Sequence, residues 1–308
     1  MKHNLMITLI LITLFFVTQL FGLATISKNV NITTDETGVV VIEHQDTIVG
    51  QPPKTQSGLE SIGMITFAVI IGTLLILLFI KLQIRTLFKY WYLLACFTTI
   101  AVTIGIYITF FEPTINTVIV LILAGILAWI KVFKQNPFVH NITEIFVYTG
   151  IAVLFVSLFE KWLWAAFVLL IIISIYDMFA VWQSKHMISL ANYQSENKVF
   201  AGLAIPYSLP KKPQKAVPMT EGKIRTAILG GGDIAFPLLF SGSVMFYLIT
   251  KVGIPKVQAL AYTSIISVTA TLALLALLMY GKKDRFYPAM PFLSLGCFIG
   301  YGIIWILV

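Results

Sequence analysis

The chain alternates long apolar runs with short polar breaks. A helix that crosses the hydrocarbon core of a bilayer needs about 20 predominantly apolar residues. Nine runs qualify, at roughly 4–24, 62–80, 90–111, 115–130, 142–159, 162–182, 226–250, 257–280 and 287–308. The pattern predicts an all-α membrane protein with nine transmembrane helices. Lys2 precedes the first run, as in a signal peptide, but Leu5 to Leu23 is long for the apolar part of one. We read it as a retained helix. Two breaks are long. The first, 25–61, is acidic (Asp35, Glu36, Glu43, Asp46, Glu60) and holds a β-like run, Val39 to Ile42, which predicts a short strand or a cap over the bundle. The second, 183–225, is polar from Gln183 to Asn197 and apolar from Val199 to Leu209. It is then basic and proline-rich at Lys211, Lys212, Pro213, Lys215 and Pro218. It reads as a mobile linker or an interfacial segment, with substrate docking as the sharper alternative. The organisation expected is one polytopic domain over 1–308: six helices in 1–182, the linker 183–225, and three helices in 226–308. There is no sign of the inverted repeat found in many transporters.

Composition narrows the class. Of 308 residues, 58% are hydrophobic and 11% charged, with a mean hydropathy of +0.93. A soluble domain carries about 25% charged residues, so no room remains for a separate soluble domain. The net charge of +8 is therefore no nucleic-acid signal, because the basic residues fall in loops, where they orient the chain and touch anionic lipid. Sixteen of the 21 Lys and Arg lie at the N-terminus and in the even-numbered loops. The positive-inside rule then puts the N-terminus in the cytoplasm, the C-terminus outside and the 183–225 linker inside. Cys96 and Cys297 fall in apolar runs and read as core residues. His3, His44, His140 and His186 lie near run ends or in loops, and none pairs with another at zinc spacing. His140 and Glu144, four apart at a helix start, read as interfacial. No cofactor and no metal site is expected.

Two carboxylates stand out. Asp177 and Asp233 sit in apolar runs that carry no other charge, and an ionisable residue within a span is a functional-site candidate by default. The predicted spans place no Lys, Arg or His inside the membrane to neutralise them. Asp177 lies about five residues from the end of the sixth run and Asp233 about seven residues into the seventh. At ~1.5 Å per residue this gives depths of ~8 and ~10 Å from the same side. Helices joined by one loop are expected to be neighbours, so the carboxyls can meet at one level. Two such groups cannot both ionise cheaply and share a proton. One can take a proton from water while the other protonates a carbonyl, which is general acid–base hydrolysis of an amide.

The surroundings strengthen the case. Gly230, Gly231 and Gly232 precede Asp233, and three glycines weaken a helix by about 1 kcal/mol each relative to alanine. Pro237 removes the N–H that would bond the Asp233 carbonyl. Pro288-Ala289-Met290-Pro291 opens the ninth run from the same side, where two prolines three apart prevent a regular first turn and leave backbone groups unpaired.

Taken together, these motifs resemble the presenilin and signal-peptide-peptidase family of intramembrane aspartyl proteases. Tyr176-Asp177 resembles that family's Tyr-Asp motif on the sixth helix. Gly230-Gly231-Gly232-Asp233 is similar to its Gly-x-Gly-Asp motif on the seventh, with Gly231 at the variable position. Pro288-Ala289-Met290-Pro291 is similar to its Pro-Ala-Leu-Pro motif on the ninth, with Met290 for Leu, a volume-conserving change. Nine spans, motif order and the long linker extend the resemblance over the whole chain. It implies a presenilin-like fold, Asp177 and Asp233 as the catalytic dyad, and Pro288 to Pro291 shaping the site and receiving substrate. It also implies substrates that are themselves transmembrane helices, unwound locally for cleavage. The inferred orientation and Tyr287 before Pro288 look like presenilin, whereas Ile234-Ala235-Phe236-Pro237 looks like the peptidase branch. The compact chain and short linker are similar to the archaeal homologues, which implies a prokaryotic plasma membrane. The linker lacks an insert of the kind presenilin cuts in itself.

Other readings fit less well. A proton- or cation-coupled transporter also uses membrane aspartates and broken helices, but its site belongs near the midplane between repeats. A prepilin-peptidase-like enzyme shares Gly-x-Gly-Asp but not the nine spans or the Pro-Ala-x-Pro motif. No His-Glu-x-x-His suggests a zinc enzyme, and Ser241 and Ser243 have no intramembrane His to activate them.

Overall fold

A computed structural model describes residues 5–34, 40–134, 136–182, 200–206, 226–281 and 287–308. Among them are nine helices long and apolar enough to cross a membrane. They are α1 (Leu5–Lys28), α2 (Gly58–Leu82), α3 (Arg85–Gly105), α4 (Pro113–Trp129), α5 (Pro137–Phe155), α6 (Leu163–Trp182), α7 (Gly231–Tyr247), α8 (Lys256–Tyr280) and α9 (Met290–Leu307). Asp35 and Glu36, His3 and His186, the polar stretch 183–199 and the basic stretch 207–225 lie outside the described residues.

Local chemistry sets the helix ends. Pro113 and Pro137 begin α4 and α5, where the missing N–H is harmless. The Asn136 side chain caps α5 by accepting from the Phe138 amide. The fourth span, short by sequence, is lengthened by a π turn over Ile130–Lys134, and α7 ends in another over Leu248–Val252. Gly253 closes that end in the left-handed region, at φ 79°.

The bundle interior is built around α7, most of which is buried beyond Ile234. It packs against α1, α5, α6, α8 and α9. The closest helix pair is α8 with α9. Gly296 and Gly300, one turn apart on α9, let the backbones meet: a Cβ on Gly300 would lie 2.7 Å from Ile266 Cα, and one on Gly296 2.9 Å from Ala270 Cα. Small residues at such crossings give membrane helices the dispersion contact that stands in for a hydrophobic drive.

Two hairpins complete the fold. The β-like run in the acidic loop is a strand, β2 (Val40–His44), paired antiparallel with β1 (Val30–Thr34). The second hairpin corrects the expected seventh span. Residues 226–230 are not helical: they form β4 (Thr226–Gly230), antiparallel to β3 (Gly202–Pro206), with Gly202 opposite Gly230 and Leu203 opposite Leu229. A short apolar run does not distinguish strand from helix by periodicity, and the partner strand decides it. Asp233 is consequently the third residue of its helix, not the seventh or so.

Alanine at Gly300 should drive a methyl into the α8 backbone and destabilise the protein by about 1–3 kcal/mol. The check is the thermal unfolding midpoint of the purified protein in detergent; an unchanged midpoint would mean that α8 and α9 part freely.

Candidate active site

The predicted site residues gather at one end of α6, α7 and α9. Asp177 lies one and a half turns before the end of α6 and is 8% exposed. Its Oδ2 accepts from the Met290 amide at 3.1 Å, and the Ala289 amide also faces the carboxyl. Pro288 and Ala289 are buried, Met290 is the first residue of α9, and Pro291 follows in its first turn. The prolines thus start a helix, as prolines often do. The free amides at that start are taken up by Asp177, and a helix N-terminus favours an anion. One turn earlier on α6, Ser174 Oγ meets Ser294 Oγ of α9 at 2.8 Å, a second tie that no motif signalled. Tyr176, beside Asp177, is 41% exposed.

Asp233 sits half-buried in the first turn of α7. Gly230 is the extended residue before the helix, at φ −65° and ψ 149°, and Gly231 and Gly232 open it. Gly231 is required by close approach: the Tyr148 ring occupies the place where its Cβ would be. Pro237 interrupts the ladder just after Asp233. Next to the break, Gln19 of α1 donates to the Ile234 carbonyl at 2.8 Å. The α6, α7 and α9 helices pack on one another, so both carboxyls stand at the same end of a three-helix unit.

The surroundings are more polar than the sequence suggested. Lys131 and His140 lie within helical spans, contrary to the expected absence of intramembrane cations. Lys131 Nζ and Glu144 Oε1 form an ion pair at 2.6 Å with side chains 0% and 1% exposed. The His140–Glu144 pair, expected at the interface, belongs to this buried cluster. A buried Glu does not stand out when its partner is distant in sequence or in a predicted loop, which is why the sequence hid it. Other candidates resolve simply. His44 pairs with Glu160 at 2.9 Å near the other end of the bundle. The Ser241 and Ser243 hydroxyls bond backbone carbonyls four residues earlier. Cys96 and Cys297 are buried and free. Among the described residues no cluster of three or more His, Cys, Asp or Glu could hold a metal.

The model of the family described as signal-peptide peptidase, presenilin aspartyl protease matches residues 37–308. The chain belongs to this family. It is an aspartic-type, intramembrane-cleaving endopeptidase with a presenilin-like fold. Two solved structures of a presenilin family intramembrane aspartate protease are similar to it, one from C222 crystals and one from P2 crystals. The first superposes with a TM-score of 0.61 at 15% identity, covering 98% of this chain and 99% of that one. The second gives 0.61 at 16%, covering 97% of each. No curated protein matches the chain.

Replacing Gly231 by alanine should force the Tyr148 ring aside and destabilise this presenilin-family chain by about 1–3 kcal/mol. Adding Tyr148→Ala should recover part of the loss, with a coupling of ~0.5–3 kcal/mol between neighbours in contact. Thermal unfolding of the two single variants and the double variant measures it, and strictly additive losses would show that the ring is not the obstacle.

Proposed function

We propose that Asp177 and Asp233 are the two catalytic carboxyls, hydrolysing a peptide bond in the membrane-spanning part of a substrate protein. One carboxylate removes a proton from water. The hydroxide equivalent attacks the scissile carbonyl carbon, and the other carboxyl, protonated, gives its proton to the carbonyl oxygen. Collapse of the resulting diol breaks the C–N bond, and the amine leaves with a proton from the dyad. Two carboxyls that share one proton are suited to this exchange, and the rate then passes through a maximum in pH and falls on both sides.

The observation that carries the reading is the way Asp177 is held. A carboxyl anchored on free backbone amides at the start of α9 is fixed in direction by those amides, and that helix start is the Pro288–Pro291 segment. Asp233, in the first turn of the adjacent α7, is likewise at a helix N-terminus. Pro288, Ala289, Met290 and Pro291 then act as the frame for Asp177, and Gly230 to Gly232 as the narrow approach to Asp233.

A helical substrate hides its amides in its own hydrogen bonds and must be opened before attack. An extended segment can be held by adding to a sheet edge. The outer edge of β3 is already engaged by side chains of α5, so the edge offered is that of β4, which leads directly into Asp233. The transmembrane helix is the substrate class we infer; the N-terminus inside, the linker cytoplasmic and a prokaryotic plasma membrane remain the orientation and location that the loop charges and the family likeness favour.

The test is cleavage of a labelled transmembrane-helix peptide by the purified protein beside Asp177→Ala and Asp233→Ala. Wild type should cleave and both variants should lose activity while keeping their helix content and unfolding midpoint. A transition-state analogue with a hydroxyl in place of the scissile carbonyl should inhibit the wild type. Retained cleavage in either variant would sink the assignment.

A further inference from the structure

One face of α5 is polar at the end near the aspartates. His140, Glu144 and Tyr148 are spaced four apart and so lie in one row, with Asn141 beside them. This face meets β3. Asn141 binds Ala204 as a neighbouring strand would: its Nδ2 donates to the Ala204 carbonyl at 3.0 Å and its Oδ1 accepts from the Ala204 amide at 2.9 Å. His140 Nε2 donates to the Gly202 carbonyl at 2.8 Å. Glu144 Oε1 accepts from Lys131 Nζ at 2.6 Å and, more weakly, from the Gly202 amide at 3.4 Å. From α3, Tyr92 donates to the Phe200 carbonyl at 2.8 Å.

These contacts close the edge of β3 that faces away from β4. In turn β3 sets the register of β4, with Gly202 opposite Gly230, and β4 runs into α7 without a loop, so that Asp233 follows Gly230 by three residues. A shift of β3 along α5 therefore displaces the first turn of α7. Tyr148 tightens the link from the other side, with its ring against Gly231 and its hydroxyl within electrostatic reach of both Glu144 and Asp233.

We propose that Asn141 and Glu144, the latter neutralised by Lys131, are positioning residues for Asp233: they lock β3 onto α5, and the β3–β4 pairing carries that lock to the start of α7. The inference rests on the reading of Asp233 as a catalytic carboxyl. An apolar pair of similar volume in place of Lys131 and Glu144 would often be as stable, but it would leave the Gly202 amide without its acceptor. What the polar set supplies is a fixed register between a helix and a strand.

The experiment compares wild type with Asn141→Leu, Glu144→Gln, the double variant Lys131→Met/Glu144→Gln, and Thr103→Val. The last removes a helix–helix hydrogen bond to α5, from Thr103 Oγ1 to the Phe146 carbonyl, away from the strand. Peptide cleavage gives kcat and KM, and hydrogen exchange over 202–206 and 226–233 reads the lock without activity. Asn141→Leu should lower kcat by about 10–100-fold, the scale on which orienting residues act, with KM little changed. Exchange in both strands should quicken while the other helices keep their protection. Glu144→Gln should behave similarly, because it strands a buried ammonium. The double variant, in which Gln can still accept from Gly202, should recover most of kcat. Thr103→Val should lower the unfolding temperature and leave kcat at its wild-type value. The proposal is overturned by wild-type kcat in Asn141→Leu, by an equal loss in Thr103→Val, or by no recovery in the double variant. If the wild type itself cleaves nothing, the hydrolytic reading fails, and exchange alone decides the lock: quickened strand exchange in Asn141→Leu supports it and unchanged exchange overturns it.

Discussion

In hydrocarbon every backbone N–H and C=O must find a protein partner, because no water is there to take its place. A chain that breaks its helices inside the membrane must therefore supply those partners from side chains. This chain breaks helical structure twice at the level of the aspartates, at the β3–β4 hairpin and before α9. At the first break Asn141 and His140 bind the strand; at the second Asp177 binds the Met290 amide. The same bonds that satisfy the backbone also aim the carboxyls. Site geometry and backbone satisfaction are one problem here, solved by one set of atoms.

Magnitudes show what these contacts can and cannot do. A carboxylate at a helix N-terminus gains about 0.3–1 kcal/mol, and up to ~2 in partly buried geometries. Removing a charge from water costs several kcal/mol. The ends of α7 and α9 therefore orient the two carboxyls but do not by themselves repay the loss of hydration. A Lys placed against them would repay it, at the expense of fixing the carboxyls in the ionised form that acid catalysis must leave. Among the described residues, the buried Lys131 is paired with Glu144 of α5.

What the sequence made legible follows from the same physics. Asp177, Asp233, the glycines and Pro288–Pro291 stood out because each violates the apolar, helix-forming rule of a span. Nine spans were legible because length and hydropathy report them directly. The strand at 226–230 was not, because Thr-Ala-Ile-Leu-Gly satisfies a buried strand and a helix end equally well until Gly202–Pro206 is seen beside it. The Lys131–Glu144 pair was missed for a different reason. Each residue sits within a few positions of a predicted span end, where a charge is ordinary, and only the added π turn at Ile130–Lys134 and the early start of α5 at Pro137 bring both inside. Gln19 was overlooked as one polar residue in an apolar run, although the carbonyl it binds adjoins the break at Pro237.

The ion pair then raises a question of economy. Breaking a buried pair by removing one partner costs about 3–5 kcal/mol, a large part of the ~5–15 kcal/mol by which folded domains exceed their unfolded states. Yet its presence adds little over an apolar replacement. A feature with a high cost of damage and a low yield in stability makes sense where a unique register matters more than depth of the minimum. Leucine on leucine tolerates sliding along a helix face, because dispersion is nearly the same at each step. An imidazole, a carboxylate and a side-chain amide, matched to particular atoms of Gly202 and Ala204, do not, because a shift of one residue leaves several of them unpaired in a low dielectric. The polar face of α5 thus holds β3 at a single register, and with it the segment that ends in Asp233.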